Sequence, residues 1–506
     1  MKRRRFLFGS AAIGAVALNP KNANAFRNPE YINPTHQVTL SKAHRGTLEI
    51  DRKLLDSYGP PEANRRAFYL AAREIFASDP EASFSHPRMV DAAEQNRIAI
   101  MGGPLLGQLR HDGVTLWFRT GTAKRIRVVV GQESFERADG TDKTSAPSPG
   151  EVVKIPIDGL NPDQRYEYEV LADDQKVASG GFRTAPPHDQ PKKFRLVFGS
   201  CFHKIGLHNP NLAAQILARE PHAMMMLGDL AVDDRNANIA MHRSDYQLRD
   251  VSKAWNSLAS NVPLYAAWDD HDYLDNDLSG VPGGFESRDR DRLRAVWGEN
   301  WNNPPSPSRG QGIQFTTRVG PVQIIMLDTR SCRDNQRRRK PHCYLGESQL
   351  DWLLQTLRTS TAPFKVISSG TMWSDYVSNG KDSWGTWDPE IRERIFDVIE
   401  RENIGGVLLV SGDRHGARAF RIPRPSGFAF HEFEPATLGG VSGPPAIVKG
   451  CEDQIFGYGQ DGLIAFGEFT FETDRKSPQV TFRLINERGS ILEKHPLSLS
   501  QLSPEA

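Results

Sequence analysis

Phe194-Arg195-Leu196-Val197-Phe198-Gly199-Ser200-Cys201-Phe202-His203 is a short apolar, β-prone run that stops on Gly-Ser and then presents a thiol and an imidazole, both metal-ligand types. The same grammar recurs downstream. Met224–Leu227 ends on Gly228-Asp229, Val262–Ala267 on Trp268-Asp269-Asp270-His271-Asp272, Ile324–Leu327 on Asp328, and Val407–Val410 on Ser411-Gly412-Asp413-Arg414-His415. Near-continuous apolar runs of this length suit strands buried on both faces, and layered α/β sheets collect their chemistry at the strands' carboxyl ends. A single Asp after a strand is usually a helix cap. Five ends of ligand type in one chain, two of them carrying His beside or near Asp, predict a converging polar crevice able to bind metal.

The chain has 506 residues and a formal net charge of +1. That length predicts two or more domains, and that balance gives no reason to expect a nucleic-acid partner. Lys2-Arg3-Arg4-Arg5-Phe6-Leu7 precedes an apolar run to Leu18, and Ala23-Asn24-Ala25 offers a small-x-small cleavage site. Arg-Arg-x-Phe-Leu resembles a twin-arginine export signal over residues 1–25, which predicts passage through the twin-arginine machinery to a periplasmic or secreted location; an Arg-rich ordinary secretory signal is the alternative. Cys332 and Cys343 flank a basic loop and are able to pair in an oxidising compartment, with Cys451 free or an alternative partner, whereas Cys201 is reserved for metal.

Residues 26–101 form an N-terminal extension in which Pro60-Pro61 opens a helix through Phe76, the rest reading as extended covering structure. From 102 to 185 the pattern is all-β, with short runs at Thr115–Phe118, Ile126–Val130, Val152–Ile155 and Tyr166–Val170. Leu160–Tyr168 resembles the tyrosine corner of immunoglobulin-like and fibronectin type III sandwiches, so a small β-sandwich is expected, in a scaffolding role. Ala185–Pro191 reads as a linker. Beyond it, strands alternate with helices: Leu350, Leu353, Leu354 and Leu357 fall on one helical face, and Phe466–Phe471 with Val480–Leu484 suggest a closing hairpin.

Gly199-Ser200-Cys201, Gly228-Asp229, Trp268–Asp272, Leu345-Gly346-x-x-Gln349-x-x-Trp352-Leu353 and Gly412-Asp413-Arg414-His415, in this order, resemble the PhoD family of alkaline phosphatases and phosphodiesterases. The resemblance implies an α/β metallophosphoesterase core over residues 192–499, two mixed β-sheets flanked by helices. It implies metal ligation by Cys201, Asp229, Asp270 or Asn276, Asp382, Asp413 and His415, with Asp229 bridging two ions, His271 as an acid beside the metals and His203 as a weaker candidate. The family often carries Tyr three residues after the bridging Asp. Val232 stands there in this chain, which puts a tyrosinate-iron site in doubt and leaves Asp233 or Asp234 as substitute oxygen ligands.

Such residues suit phosphoester hydrolysis because two cations roughly 3.5–4 Å apart can hold a nucleophile and the phosphoryl oxygens together and activate water. His271 would stabilise or protonate the leaving group. A thiolate favours iron or zinc and an all-oxygen side favours calcium, magnesium or manganese, so a mixed pair is expected, iron plus calcium first by resemblance. Arg330 is expected either to contact a phosphate oxygen or to pair with nearby carboxylates, and Arg337–Lys340 reads as a solvated loop face that also has the charge to draw in anions. The expected partner is therefore a phosphomonoester or phosphodiester, acted on by a monomer. Phospholipase D-like headgroup cleavage and a non-catalytic, metal-stabilised cell-envelope binding protein are the competing readings.

Overall fold

A computed structural model describes residues 30–136, 147–307, 311–378 and 380–505. The export signal expected at residues 1–25 lies outside them. Two mixed sheets form the centre of the molecule. The first has six strands in the order Leu264–Ala266, Ala223–Met226, Lys193–Gly199, Ala465–Glu472, Gln479–Asn486, Ile491–Ser498. Its first three are mutually parallel, and the expected hairpin together with Ile491–Ser498 supplies the antiparallel remainder. The second has seven, in the order Phe315–Val319, Val322–Met326, Phe364–Ser368, Val407–Val410, Ala429–Pro435, Ala417–Pro423, Gln454–Tyr458, with four parallel strands at its centre.

Alternation along each strand builds the layers. Phe198, Met225, Phe469 and Phe482 of the first sheet join Ile324, Val366, Leu408 and Phe433 of the second in one core between the sheets. The opposite faces are equally apolar: Val197, Met224 and Met226 pack under helices Pro210–Ala218 and Lys253–Ala259, while Ile325, Ile367 and Leu409 pack under Glu347–Thr359 and Pro389–Arg401. This is why these runs read as continuously hydrophobic. Leu350, Leu353, Leu354 and Leu357 are all buried on the face of Glu347–Thr359 that meets this core.

The described residues between 100 and 183 add two antiparallel sheets, one of three strands and one of four, whose inner residues, among them Leu116, Val128, Ile155 and Val170, join the same core. The Tyr166 hydroxyl accepts the Asn161 amide at 2.9 Å. The extension before it corrects the expectation of extended structure. Besides Ala63–Ser78, which follows the proline pair as expected, it holds helices Leu40–Arg45, Leu48–Asp56 and Pro87–Gln95. Gly46 ends the first of these at φ 53°, and Thr47 caps the second. Among the described residues no helix is long and apolar enough to cross a membrane.

Candidate metal centre

The carboxyl ends of the parallel strands open toward one edge, and short loops there carry the polar residues. The Cys201 amide donates to Gly228 O (2.9 Å), the His203 amide to Asp229 O (2.9 Å) and the Leu438 amide to Ser200 O (2.9 Å), so three loops are laced together by backbone. Gly412 seals the two sheets, since a Cβ there would sit 2.7 Å from the Ser200 Cβ. Cys201, His203, Asp229, Asp234, Asp413 and His415 all have φ between 47° and 69°. Left-handed backbone is costly for residues with a side chain and concentrates where function over-determines it. Here it falls on six residues of one crevice.

Two ligand groups meet at Asp229. Cys201, His203, Asp229 and His415 each bring one donor atom within 4.8 Å of the others, and Asp229, Asp270 and His271 do the same; Asp269, Asp270 and Asp413 form a third such set. Cys201 Sγ is 3.5 Å from Asp229 Oδ2. Asp229 is common to the first two sets and Asp270 to the last two, so the donors form one chain of sites, with Asp229 in the position a bridging carboxylate requires. His203 therefore enters the cluster fully. His203 Nδ1 lies 2.7 Å from Asp233 Oδ1, His271 Nδ1 2.6 Å from Asp234 Oδ1, and His415 Nδ1 2.8 Å from Ser442 O, which leaves each Nε2 for the crevice. Asp233 and Asp234 thus orient the histidine rings, and each also falls in a further set of close donor atoms, Asp233 with His44 and His203 and Asp234 with His44 and His271, so the expectation that one of them supplies an oxygen ligand stays open.

The protein groups fit metal ions on a direct count of unsatisfied atoms. His203 Nε2, Asp229 Oδ1, Asp270 Oδ1 and Asp413 Oδ2 are buried with no hydrogen-bond partner in the protein. Leaving such a group unpaired costs about 1–3 kcal/mol, and more when it is charged. Electrostatics agree. Burial and the neighbouring carboxylates Asp270, Asp269 and Asp272 push Asp229 well above the usual carboxylate range, and burial with Asp269, Asp270 and Asp382 does the same to Asp413. Burial and the Asp229 carboxylate push the Cys201 thiol up. A cation reverses each of these by favouring the ionised ligand. Burial alone would lower His271, but Asp270, Asp229 and Asp234 outweigh it and hold the imidazole well above its usual range.

Other expected residues are placed differently. Arg330 is fully buried: Nε and Nη2 pair with Asp269, Nη1 lies 2.9 Å from Asp382, and Nη2 lies 3.6 Å from Asp270 and 3.5 Å from Asp413. Its expected contact with a phosphate oxygen gives way to the other reading, ion pairing with carboxylates. Asp382 is shared by Arg330 and Arg333 and stands outside the ligand sets. Asn276 is exposed, its carboxamide donating to Asp277 at 3.1 Å, so the oxygen facing the cluster from this loop is that of Asp270, held by the Asp277 amide at 2.6 Å. Asp328, the fifth strand end, does not converge either. Its carboxylate accepts from Trp268 Nε1 (2.9 Å) and the amides of Ile313, Arg330 and Ser331, and Gln349 clasps its backbone through both N–H and C=O. The motif around Gln349 therefore fixes the turn that aims Arg330. Cys332 and Cys343 are free thiols in this structure, Cys343 buried against Trp387 O.

Two contributors escaped the sequence reading. Asp269, adjacent to the expected ligand, joins the set with Asp270 and Asp413. His44, from the extension, puts Nδ1 2.9 Å from Asp234 Oδ2 and sets its ring, tilted by 34°, with its centroid 4.6 Å from that of His271.

Residues 219–454 match the family described as PhoD-like phosphatase, a span that includes Asp229, Asp270, His271, Arg330, Asp382, Asp413 and His415. That span is a PhoD-like phosphatase domain. Residues 97–189 match a domain of unknown function (DUF7800), so neither family match reaches His44. Alkaline phosphatase D of Bacillus subtilis (strain 168) is 26% identical over 346 residues, and the similarity spans 58% of each chain. The PhoD-like fold is seen in the solved structure of PhoD (19% identical, TM-score 0.59, covering 79% of this chain and 88% of that one). It is seen also in purple acid phosphatase PPD1 from yellow lupin seeds (14% identical, TM-score 0.55, covering 78% and 74%).

Proposed function

We propose that this chain is a metal-dependent phosphoesterase hydrolysing phosphomonoesters or phosphodiesters, and the observation that carries the reading is the chain of ligand sets joined through Asp229. Cys201, His203, Asp229 and His415 would hold one ion, and Asp229, Asp270, Asp269 and Asp413 a second. Metal ions so held supply Lewis acidity toward phosphoryl oxygens and acidify water. The thiol and imidazoles of the first set favour iron or zinc and the carboxylates of the second favour calcium, magnesium or manganese, which supports a mixed pair, with iron plus calcium placed first by the family resemblance.

The protein's own part is positioning. Asp234 fixes the His271 ring, so that Nε2 faces the Asp229–Asp270 side, where it donates a proton to a departing alkoxide. Arg330 neutralises part of the carboxylate charge from behind and fixes Asp269 through two nitrogens. The sheets of three and four strands between residues 100 and 183, with the corner at Tyr166, support a fibronectin type III-like scaffold rather than a catalytic part. The Arg-rich start followed by an apolar run supports export by the twin-arginine route; fractionation of the native host with the full chain tests this, and retention in the cytoplasm refutes it.

Hydrolysis of nitrophenyl phosphate and bis(nitrophenyl) phosphate, before and after chelation and with each metal restored, tests the function. Activity lost on chelation and regained with metal is expected. The rate ratio on the two esters decides between monoesterase and phospholipase D-like diesterase action. If Cys201→Ala and Asp413→Ala both leave hydrolysis unchanged while the metals stay bound, the metal-stabilised binding protein is the better reading.

A further inference from the structure

The extension is anchored to the loops of the metal centre by buried charge. Lys204, fully buried and next to His203, has Nζ 3.4 Å from Asp51 of helix Leu48–Asp56 and 3.4 Å from Asp245. Asp51 also accepts Arg73 Nε at 2.8 Å, and Asp245 takes Arg235, next to Asp234, at 2.7 and 2.8 Å. Arg73 Nη2 donates to Gly46 O at 2.8 Å, and the Arg235 guanidinium lies where a Cβ on Gly46 would fall. Removing one member of a buried ionic set strands the others, so such a set holds its elements in one register. The element held is helix Leu40–Arg45, and the residue it delivers is His44.

His44 sits over the solvent side of the histidine cluster, its side chain 20% exposed. Asp234 is gripped from both sides: Oδ2 takes His44 Nδ1 and Oδ1 takes His271 Nδ1. The His44 ring lies 4.6 Å from the His271 ring at 34°, and 5.7 Å from that of His203. A carboxylate held at one oxygen alone is free to rotate about its last torsion and let its partner ring turn. We propose that His44 is a positioning residue of the active site: by fixing Asp234 it fixes the direction of His271, which makes the N-terminal extension part of the catalytic unit. This rests on the phosphoesterase reading given above.

Three measurements on the full chain test it. His44→Ala lowers kcat on bis(nitrophenyl) phosphate by about 10- to 100-fold, the range for loss of a group that orients an active-site imidazole, with KM little changed. His44→Asn, which keeps a donor for Asp234, returns most of the loss. In the background of Asp234→Asn, His44→Ala costs less than about twofold, because the path it acts through is already broken. The third readout needs no turnover. In chelated protein the His271 Nδ1–H proton, assigned with His271→Gln, gives a distinct downfield resonance that His44→Ala abolishes and His44→Asn retains. His36→Ala, on the exposed chain before the helix, changes none of these. Equal and additive losses for the Ala and Asn variants, or an unaltered His271 resonance in His44→Ala, overturn the inference. A wild-type chain that hydrolyses neither ester overturns the phosphoesterase reading instead, and the resonance then decides the positioning role by itself.

Discussion

Replacing Arg330 by Met removes the guanidinium from a fully buried position among four carboxylates. The consequences differ by partner. Asp382 keeps Arg333 at 3.1 Å, whereas Asp269, 1% exposed, loses the cation that binds both its oxygens. Breaking a buried pair from one side costs about 3–5 kcal/mol, because an uncompensated charge stays behind. Asp269 can escape part of that cost by taking up a proton. With Arg330 present, burial already pushes it up to about 6 against the arginine's opposing pull, and without Arg330 it rises further. Above pH 6 the folded variant therefore holds a proton that neither the folded wild type nor either unfolded chain holds. Its deficit must grow by up to about 1.4 kcal/mol per pH unit, so by up to about 2.7 kcal/mol between pH 6 and 8. Urea unfolding of chelated wild type and Arg330→Met at pH 6, 7 and 8 measures this. A loss below about 1 kcal/mol at every pH, or a deficit that shrinks as pH rises, would refute the account of Arg330 as the cluster's internal cation.

Gln349→Ala leaves both the N–H and the C=O of Asp328 without their buried partner; about 2–4 kcal/mol of stability should go, with a fall in kcat as the Arg330 turn loosens, and a stability loss under about 0.5 kcal/mol counts against the clasp. Gly228→Ala would place a Cβ 2.5 Å from the Asp269 Cβ at a φ of 118°, so bound metal and hydrolysis should both drop at least tenfold, as read by elemental analysis and ester turnover. Burial lowers His208, His242 and His431 to about 4, each remaining neutral in the fold while the unfolded chain protonates near 6.5. Their contribution is intact above pH 6.5 and is lost as pH falls toward 4, so unfolding free energy should decline through that window, and His431→Gln should make the decline visibly shallower.

The strand ends were legible because each combines an apolar run, a stop and a ligand-type residue within a few positions, and the parallel order of the sheets carries those ends to one edge. Asp328 shows the limit of that grammar: the same pattern serves a turn when backbone amides and Trp268 claim the carboxylate first. Val232 marked a departure from the family pattern, yet the adjacent Asp233 and Asp234 turned out to orient rings, a role that depends on which side of the loop each faces. His44 was not legible. It lies in a six-residue helix, too short for a periodic signal, and reaches Asp234 across almost two hundred residues of chain. The local signs of that helix were present in Gly46 and the capping Thr47, but a helix boundary says nothing about what its side chains meet.

The claim on which everything else rests is that the ligand sets joined through Asp229 hold a pair of cations. Elemental analysis of the full chain purified from its native host, beside Cys201→Ala and Asp229→Ala, measures it most directly. Two metal equivalents per chain are predicted for the wild type, with Cys201→Ala losing chiefly one kind and Asp229→Ala losing both. Undiminished hydrolysis by wild-type protein stripped of metal, or full metal content in Asp229→Ala, would contradict it.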